Sequence, residues 1–94
     1  MPGAVAQPVP AELADLRLVR QFRAATADGQ RVLVVKERSV WTPERVREIR
    51  DGIARHLARM DAAGLADAAA DRKRARLRAV DAELETVLAY LEER

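Results

Sequence analysis

The sequence predicts a mainly α-helical α+β protein, in which a β-hairpin is followed by a long antiparallel helical hairpin with a coiled-coil-like second helix. Three features predict this fold: an Asp-Gly pair at 28–29 between β-compatible segments, a helix-start sequence around Thr42, and a break at Gly64. A chain of 94 residues allows one domain. We place that domain at residues 13–94, behind a Pro-rich arm at residues 1–12.

The N-terminal arm contains three prolines and one glycine within its first ten residues. Proline lacks the backbone N–H that helices and sheet ladders need, so we expect this arm to be extended and flexible, without either. Residues 11–16 are compatible with a short helix, because a proline directly precedes them. Residues 18–25 fit a strand better.

The β-hairpin is predicted at about residues 18–37, around the turn at Asp28 and Gly29. Counting outward from this turn gives the cross-strand partners: Phe22–Val35, Ala24–Leu33 and Arg20–Glu37 on one face, and Arg23–Val34 and Ala25–Val32 on the other. The first face is more apolar and carries an opposite-charge pair, so we expect it to be the packed face. An isolated two-stranded hairpin is marginally stable, so this one must lie on helices or join the sheet of another chain.

The first long helix is predicted at residues 43–61, with Thr42 as its N-cap. Proline at the first helical position and glutamate at the second favour this start. Trp41 and Val46 flank the cap as a hydrophobic staple. Apolar residues then recur at spacings of three and four, which predicts one buried stripe along the helix: Val46, Ile49, Ile53, Leu57 and Met60.

The second helix is predicted at residues 66–93, because Gly64 suits the residue that follows a helix C-terminus. The alternative is one continuous helix from residue 43 to residue 93. We expect the last turns of the longer second helix, residues 84–91, to extend past the first helix and to cover the β-hairpin or another molecule. The apolar seam of this helix is the predicted protein interface: Leu77, Val80, Leu84, Val87, Leu88 and Leu91.

The second helix is polarised in charge, with five basic residues at 72–78 and five acidic residues at 81–93. Two antiparallel copies would place the basic half of each helix against the acidic half of the other. This pattern predicts self-association or a partner helix, while an ordinary solvated surface and phosphate binding are the alternatives. The residues predicted to contact nucleic acid in the last case are Arg72, Lys73, Arg74, Arg76 and Arg78.

The residues that would support catalysis or metal binding are scarce. The chain has no cysteine, and its single histidine, His56, cannot form an ordinary zinc site alone, so we expect that side chain to be partly buried or solvated. No hydroxyl residue has a basic partner at motif spacing, and no Gly-rich phosphate loop is present. We therefore predict a protein that is not an enzyme, with no cofactor, no metal and no small-molecule substrate.

The same sequence gives no sign of secretion or membrane insertion. Residues 1–10 lack the pattern of a signal peptide, and no apolar run approaches the roughly 18 residues of a membrane span. The expected location is the cytoplasm, without membrane contact.

Two family resemblances follow from the order of these elements. The strand at 31–36, the capped helix at 42–60 and the later helix together resemble ribbon-helix-helix DNA-binding dimers, in which a strand pairs across the dimer and reads the major groove. This resemblance implies a small DNA-binding regulator that uses the basic run at 72–78. The hairpin at 28–32 followed by a capped helix resembles small phage head–tail joining proteins, which implies a subunit of a phage-like particle.

The leading functional prediction is a structural or adaptor protein without catalytic activity. It would act through self-association of its helices or as a small subunit of a larger assembly. Its partner would be a protein or a second copy of the chain, with nucleic acid as the second class of partner.

Overall fold

The computed structural model describes residues 6–35 and 39–93 and shows an α+β protein that is mainly helical. A short helix and a 3₁₀ turn come first, then a three-stranded antiparallel sheet, then two long helices. These elements are α1 (Ala11–Ala14), the 3₁₀ turn (Arg17–Val19), β1 (Arg23–Ala27), β2 (Gln30–Val35), β3 (Ser39–Trp41), α2 (Pro43–Ala62) and α3 (Ala68–Glu92). The predicted fold class, β-hairpin and helical hairpin are confirmed.

The β1–β2 hairpin has the predicted two-residue turn. Asp28 has a φ of 53° and Gly29 a φ of 77°, and positive φ at both central positions is what a type I′ turn requires. The turn sets the register, in which Ala24 pairs with Leu33 as counting predicted. Leu33 is fully buried on the face that meets the helices.

The sheet extends further on both sides than the sequence indicates. β3 pairs antiparallel with β2, with Trp41 opposite Leu33, so β2 is the central strand. On the other side Gln7 and Ala24 exchange two backbone hydrogen bonds, each 2.8 Å between nitrogen and oxygen. The expectation that the arm carries no sheet ladder is therefore corrected at Gln7.

The β-hairpin also begins later in the chain than predicted. Residues 17–19 form a 3₁₀ turn instead of strand, and β1 begins only at Arg23. The short helix expected behind Pro10 is present as α1. Residues 1–5 of the arm and the Glu37 member of the expected charge pair lie outside the described residues.

Both long helices have a side-chain N-cap, and the cap at Thr42 is the predicted one. The Thr42 hydroxyl accepts a hydrogen bond from the Arg45 backbone N–H at 3.1 Å, which satisfies one of the free donors at the start of α2. The Asp67 carboxylate accepts the Ala70 N–H at 2.7 Å and starts α3 in the same way. The caps match the predicted helix starts to within two residues.

Gly64 ends α2 and separates it from α3. Its φ of 68° lies in the left-handed region, and its N–H donates to the Asp61 carbonyl at 3.1 Å. The next N–H, of Leu65, donates to the Met60 carbonyl at 3.2 Å, which completes a Schellman motif. The alternative of one continuous helix is therefore wrong.

The core lies where the sheet and the two helices meet. Its contiguous cluster contains Leu13, Val19, Leu33, Val46, Ile53, Leu84, Val87 and Leu91. Met60 and Ala70 are buried outside this cluster, nearer the α2–α3 connection. We call residues 54–80 the distal hairpin, because they lead away from the core in a molecule that measures 51 × 25 × 22 Å.

Candidate interaction surface

The predicted interface seam of α3 packs within its own chain. Three of its residues are buried and the other three are partly buried against the same core: Leu84 (0% exposed), Val87 (0%) and Leu91 (4%), then Leu77, Val80 and Leu88. α3 packs against α2, β2 and the 3₁₀ turn. The last turns of α3 are expected from the sequence to pack on the β-hairpin or on another molecule. They pack on the β layer, so they do not form an exposed contact surface.

The two helices overlap further than their sequences indicate. Arg50 of α2 lies 2.9 Å from the Asp81 carboxylate of α3, and Arg47 forms an ion pair with Glu92. The start of α2 therefore lies beside the end of α3, and the expected overhang of residues 84–91 past α2 is wrong. The expected overhang follows from a short connection between the helices. The connection is longer, because α2 ends at Ala62 and α3 begins at Ala68, and this shifts α3 along α2.

The acidic half of α3 is engaged inside the molecule. Glu83 accepts the backbone N–H of Leu18 at 2.9 Å, which ties α3 to the 3₁₀ turn. The other acidic residues form these ion pairs: Arg31–Glu93, Arg47–Glu92, Arg50–Asp81 and Arg50–Glu85. The hydrogen bond to Asp81 raises the pKa of the Arg50 guanidinium above its ordinary value, against the opposing effect of burial. These carboxylates therefore already have cationic or N–H partners within their own chain.

Arg74 differs from the other residues of the basic run. Its side chain is only 13% exposed. It donates hydrogen bonds to Asp61 and Asp71, each at 3.2 Å, and to the Leu65 carbonyl. Arg74 therefore joins the end of α2, the connection and the start of α3. These contacts give Arg74 a role in the fold, and its side chain is less accessible to an external anion than those of the other basic residues.

The other four basic residues of the run point into solvent. Arg72, Lys73, Arg76 and Arg78 are exposed, and none of them forms an ion pair with a residue of the described part of the chain. Arg72 and Arg76 lie one helical turn apart and repel each other slightly. Their charges are therefore available to an external anion.

Three of these residues continue the side of α3 that packs on the β layer. An α-helix completes three turns in about 11 residues, so residues 11 apart share a side. Lys73 lies on the side that carries Leu84, and Arg76 on the side that carries Val87. From Arg72 to Arg76 this side is exposed and basic, whereas Val80 further along it is partly buried against the core. We call Arg72, Lys73 and Arg76 the basic face.

Charge is separated along the long dimension of the molecule. The distal hairpin has seven basic and three acidic residues, a net charge of +4 with His56 neutral. The other described residues have seven basic and eleven acidic residues, a net charge of −4. The total of +2 hides this separation. The distal hairpin is therefore suited to a negatively charged partner.

One concavity lies at the opposite end of the molecule. An open groove of about 700 Å³ is bounded by the β1–β2 turn, the start of α2 and the end of α3. Its two arginines, Arg31 and Arg47, are already paired with Glu93 and Glu92, and Arg31 also lies 4.7 Å from the centre of the Tyr90 ring. These pairings give the groove no free catalytic or anion-binding group among its arginines.

His56 is partly buried, and its Nε2 atom is buried without a hydrogen-bond partner in the described structure. Its Nδ1 atom lies 3.5 Å from the Arg59 guanidinium. Across residues 6–35 and 39–93, no group of three or more His, Cys, Asp or Glu residues is arranged to hold a metal ion. His56 therefore has no partners here with which to form a metal site.

Comparison of the chain with protein-family models, with curated proteins and with solved structures gives no match. Within the described residues, every helix is too short or too polar to cross a lipid bilayer.

Proposed function

We propose that this protein is a non-enzymatic adaptor, a small subunit of a larger assembly, and that it contacts an acidic component through its basic face. The observation that carries the proposal is the separation of charge along the molecule. The distal hairpin carries a net +4, and Arg72, Lys73 and Arg76 are exposed on it without an ion-pair partner among the described residues.

The distribution of apolar surface favours a separate partner over self-association. Among the described residues, the large apolar side chains that are exposed are Val40 (45%) and Leu65 (46%). Val40 lies on β3, whereas Leu65 lies in the α2–α3 connection at the far end of the distal hairpin. Two separated side chains do not make the apolar patch that a stable homodimer buries. We expect the isolated protein to have the 10.4 kDa mass of a monomer in light scattering.

The pairing of β2 does not favour the ribbon-helix-helix arrangement. A strand that pairs across a dimer needs a free edge, and β2 pairs with β1 on one side and with β3 on the other. The resemblance to head–tail joining proteins implies a subunit of a particle, which is one form that the proposed assembly takes.

Binding to polyglutamate, a simple acidic polypeptide, tests the proposed function. The basic-face variant replaces Arg72, Lys73 and Arg76 with glutamine, which keeps a high helix propensity. We expect this variant to bind labelled polyglutamate about tenfold more weakly or worse at low salt, because three unpaired cations are lost.

The matched control replaces three exposed arginines outside the distal hairpin: Arg17→Gln, Arg20→Gln and Arg23→Gln. It loses the same amount of charge as the basic-face variant but keeps the basic face. It should therefore keep most of the binding. Equal losses in the two variants would show an effect of net charge alone and would contradict a specific basic face. A concentration-dependent oligomer of the isolated protein would favour self-association instead.

A further inference from the structure

We propose that the acidic component is double-stranded nucleic acid, contacted at its phosphate backbone without readout of base sequence. This inference rests on the proposed function, because it names the partner of the same basic face. It commits to phosphate over acidic protein, since the chemistry and the spacing of the exposed residues distinguish these two partners.

The composition of the basic face suits phosphate better than a protein surface. Protein interfaces have apolar and aromatic centres that are depleted in lysine and other charges. On the same side of α3 the apolar neighbours of the basic residues are Ala69, which is exposed, and Val80, which is partly buried against the core, so no exposed large apolar side chain lies among them. Arginine and lysine without an apolar anchor are the typical residues of phosphate contacts, which position a protein without reading bases.

The spacing along α3 matches a duplex backbone. Arg72 and Arg76 are four residues apart, or about 6 Å along the helix axis. Phosphates of one strand advance about 3.4 Å per nucleotide along a duplex, so the basic face spans two to three phosphates. Arg55 and Arg59 of α2 are exposed on the same distal hairpin and add positive potential near this row.

A duplex is favoured over a single strand because the distal hairpin has no Phe, Tyr or Trp, and its one histidine, His56, is partly buried. Proteins that bind single strands stack bases on exposed aromatic side chains. The aromatic residues here lie at the opposite end, where Phe22 packs on Trp41 with ring centroids 4.6 Å apart and Tyr90 lies under Arg31. The basic face therefore offers charge without stacking.

The test is fluorescence anisotropy of a labelled 20-base-pair duplex titrated with the full chain, with salt raised from about 50 to about 200 mM. Three phosphate contacts predict a slope near −2.7 for the logarithm of the binding constant against the logarithm of salt concentration, or about 40-fold weaker binding over this range. We expect the basic-face variant to lose most of this binding and its salt dependence. The control with Arg17→Gln, Arg20→Gln and Arg23→Gln should keep both. Far-UV circular dichroism shows whether each variant retains its helices.

Four outcomes overturn the inference. If the protein binds polyglutamate more tightly than the duplex at equal charge concentration, the partner is an acidic protein. The proposed function then still stands. Binding to neither polymer overturns both proposals. A single strand bound more tightly than the duplex contradicts the duplex geometry. Equal losses in the basic-face variant and the control show that the duplex responds to net charge alone.

Discussion

Leu84 and Leu65 are two leucines in opposite environments. Leu84 of α3 is 0% exposed within the core, whereas Leu65 in the α2–α3 connection is 46% exposed. Leu84→Ala removes buried apolar atoms and leaves a cavity, so we expect a loss of about 2–5 kcal/mol in the free energy of unfolding. That is a large part of the roughly 5–14 kcal/mol typical of a chain of this length.

Leu65→Ala is the matched control, with an expected change within about 0.5 kcal/mol. Urea unfolding followed by circular dichroism measures both variants. If Leu84→Ala were as stable as the parent protein, Leu84 would not lie in the core, and its availability as an intermolecular contact would be open again.

Arg74 and Arg78 are also one residue type in two environments, one helical turn apart on α3. Arg74 is 13% exposed and bound to both helices, whereas Arg78 is exposed without an ion-pair partner in the described chain. We expect Arg74→Gln to cost about 1–2 kcal/mol of unfolding free energy, since it loses charged hydrogen bonds at the α2–α3 connection.

Arg78→Gln should change stability by less than about 0.5 kcal/mol, and it removes a like-charge neighbour of Arg74. Thermal unfolding of the two variants at equal salt gives the comparison. Equal midpoints for the two would mean that the contacts of Arg74 contribute nothing to the fold.

At the scale of elements, two glycines of the helical hairpin should respond to alanine with opposite signs. Gly64 has a φ of 68°, a backbone conformation that alanine adopts with strain, so Gly64→Ala should cost about 1 kcal/mol. Gly52 lies inside α2, where an added Cβ would only meet the flexible end of Arg55 at 3.9 Å. Gly52→Ala should therefore stabilise the protein by about 0.5–1 kcal/mol.

The two midpoints in urea, compared with that of the parent protein, give the signs directly. A stabilising Gly64→Ala would contradict the Schellman ending of α2 and would support a helix that continues through residue 64.

The elements that could be predicted from the sequence are those set by local backbone chemistry. The turn at Asp28 and Gly29, the cap at Thr42 and the ending at Gly64 each depend on conformations or hydrogen bonds within a few residues. β3 could not be predicted in this way, because three residues carry no periodic signal and the strand exists only through its pairing with β2.

The candidate surface was less predictable, because its character depends on long-range contacts. The apolar spacing of α3 locates the seam, but it does not show whether the seam meets its own sheet or another molecule. That is decided by the offset between the helices, which the Arg50–Asp81 pair marks. In the same way, Arg74 differs from Arg72 only because Asp61 and the Leu65 carbonyl lie beside it.

At the scale of the whole molecule, the two halves of α3 lie in different surroundings. Its C-terminal half completes the core, and its carboxylates form ion pairs with arginines of α2 and β2. Its N-terminal half carries the basic face away from the core, toward the +4 end of a molecule 51 Å long. We propose that, of the two halves of α3, only the N-terminal half contacts a partner.

Amide chemical-shift mapping of the ¹⁵N-labelled full chain, titrated with the 20-base-pair duplex at low salt, tests this division most directly. We predict the largest shifts at residues 69–78, with smaller changes near Arg55 and Arg59 and almost none at residues 84–91. Shifts centred on residues 84–91 or on the sheet, or no shifts at saturating duplex, would contradict the account.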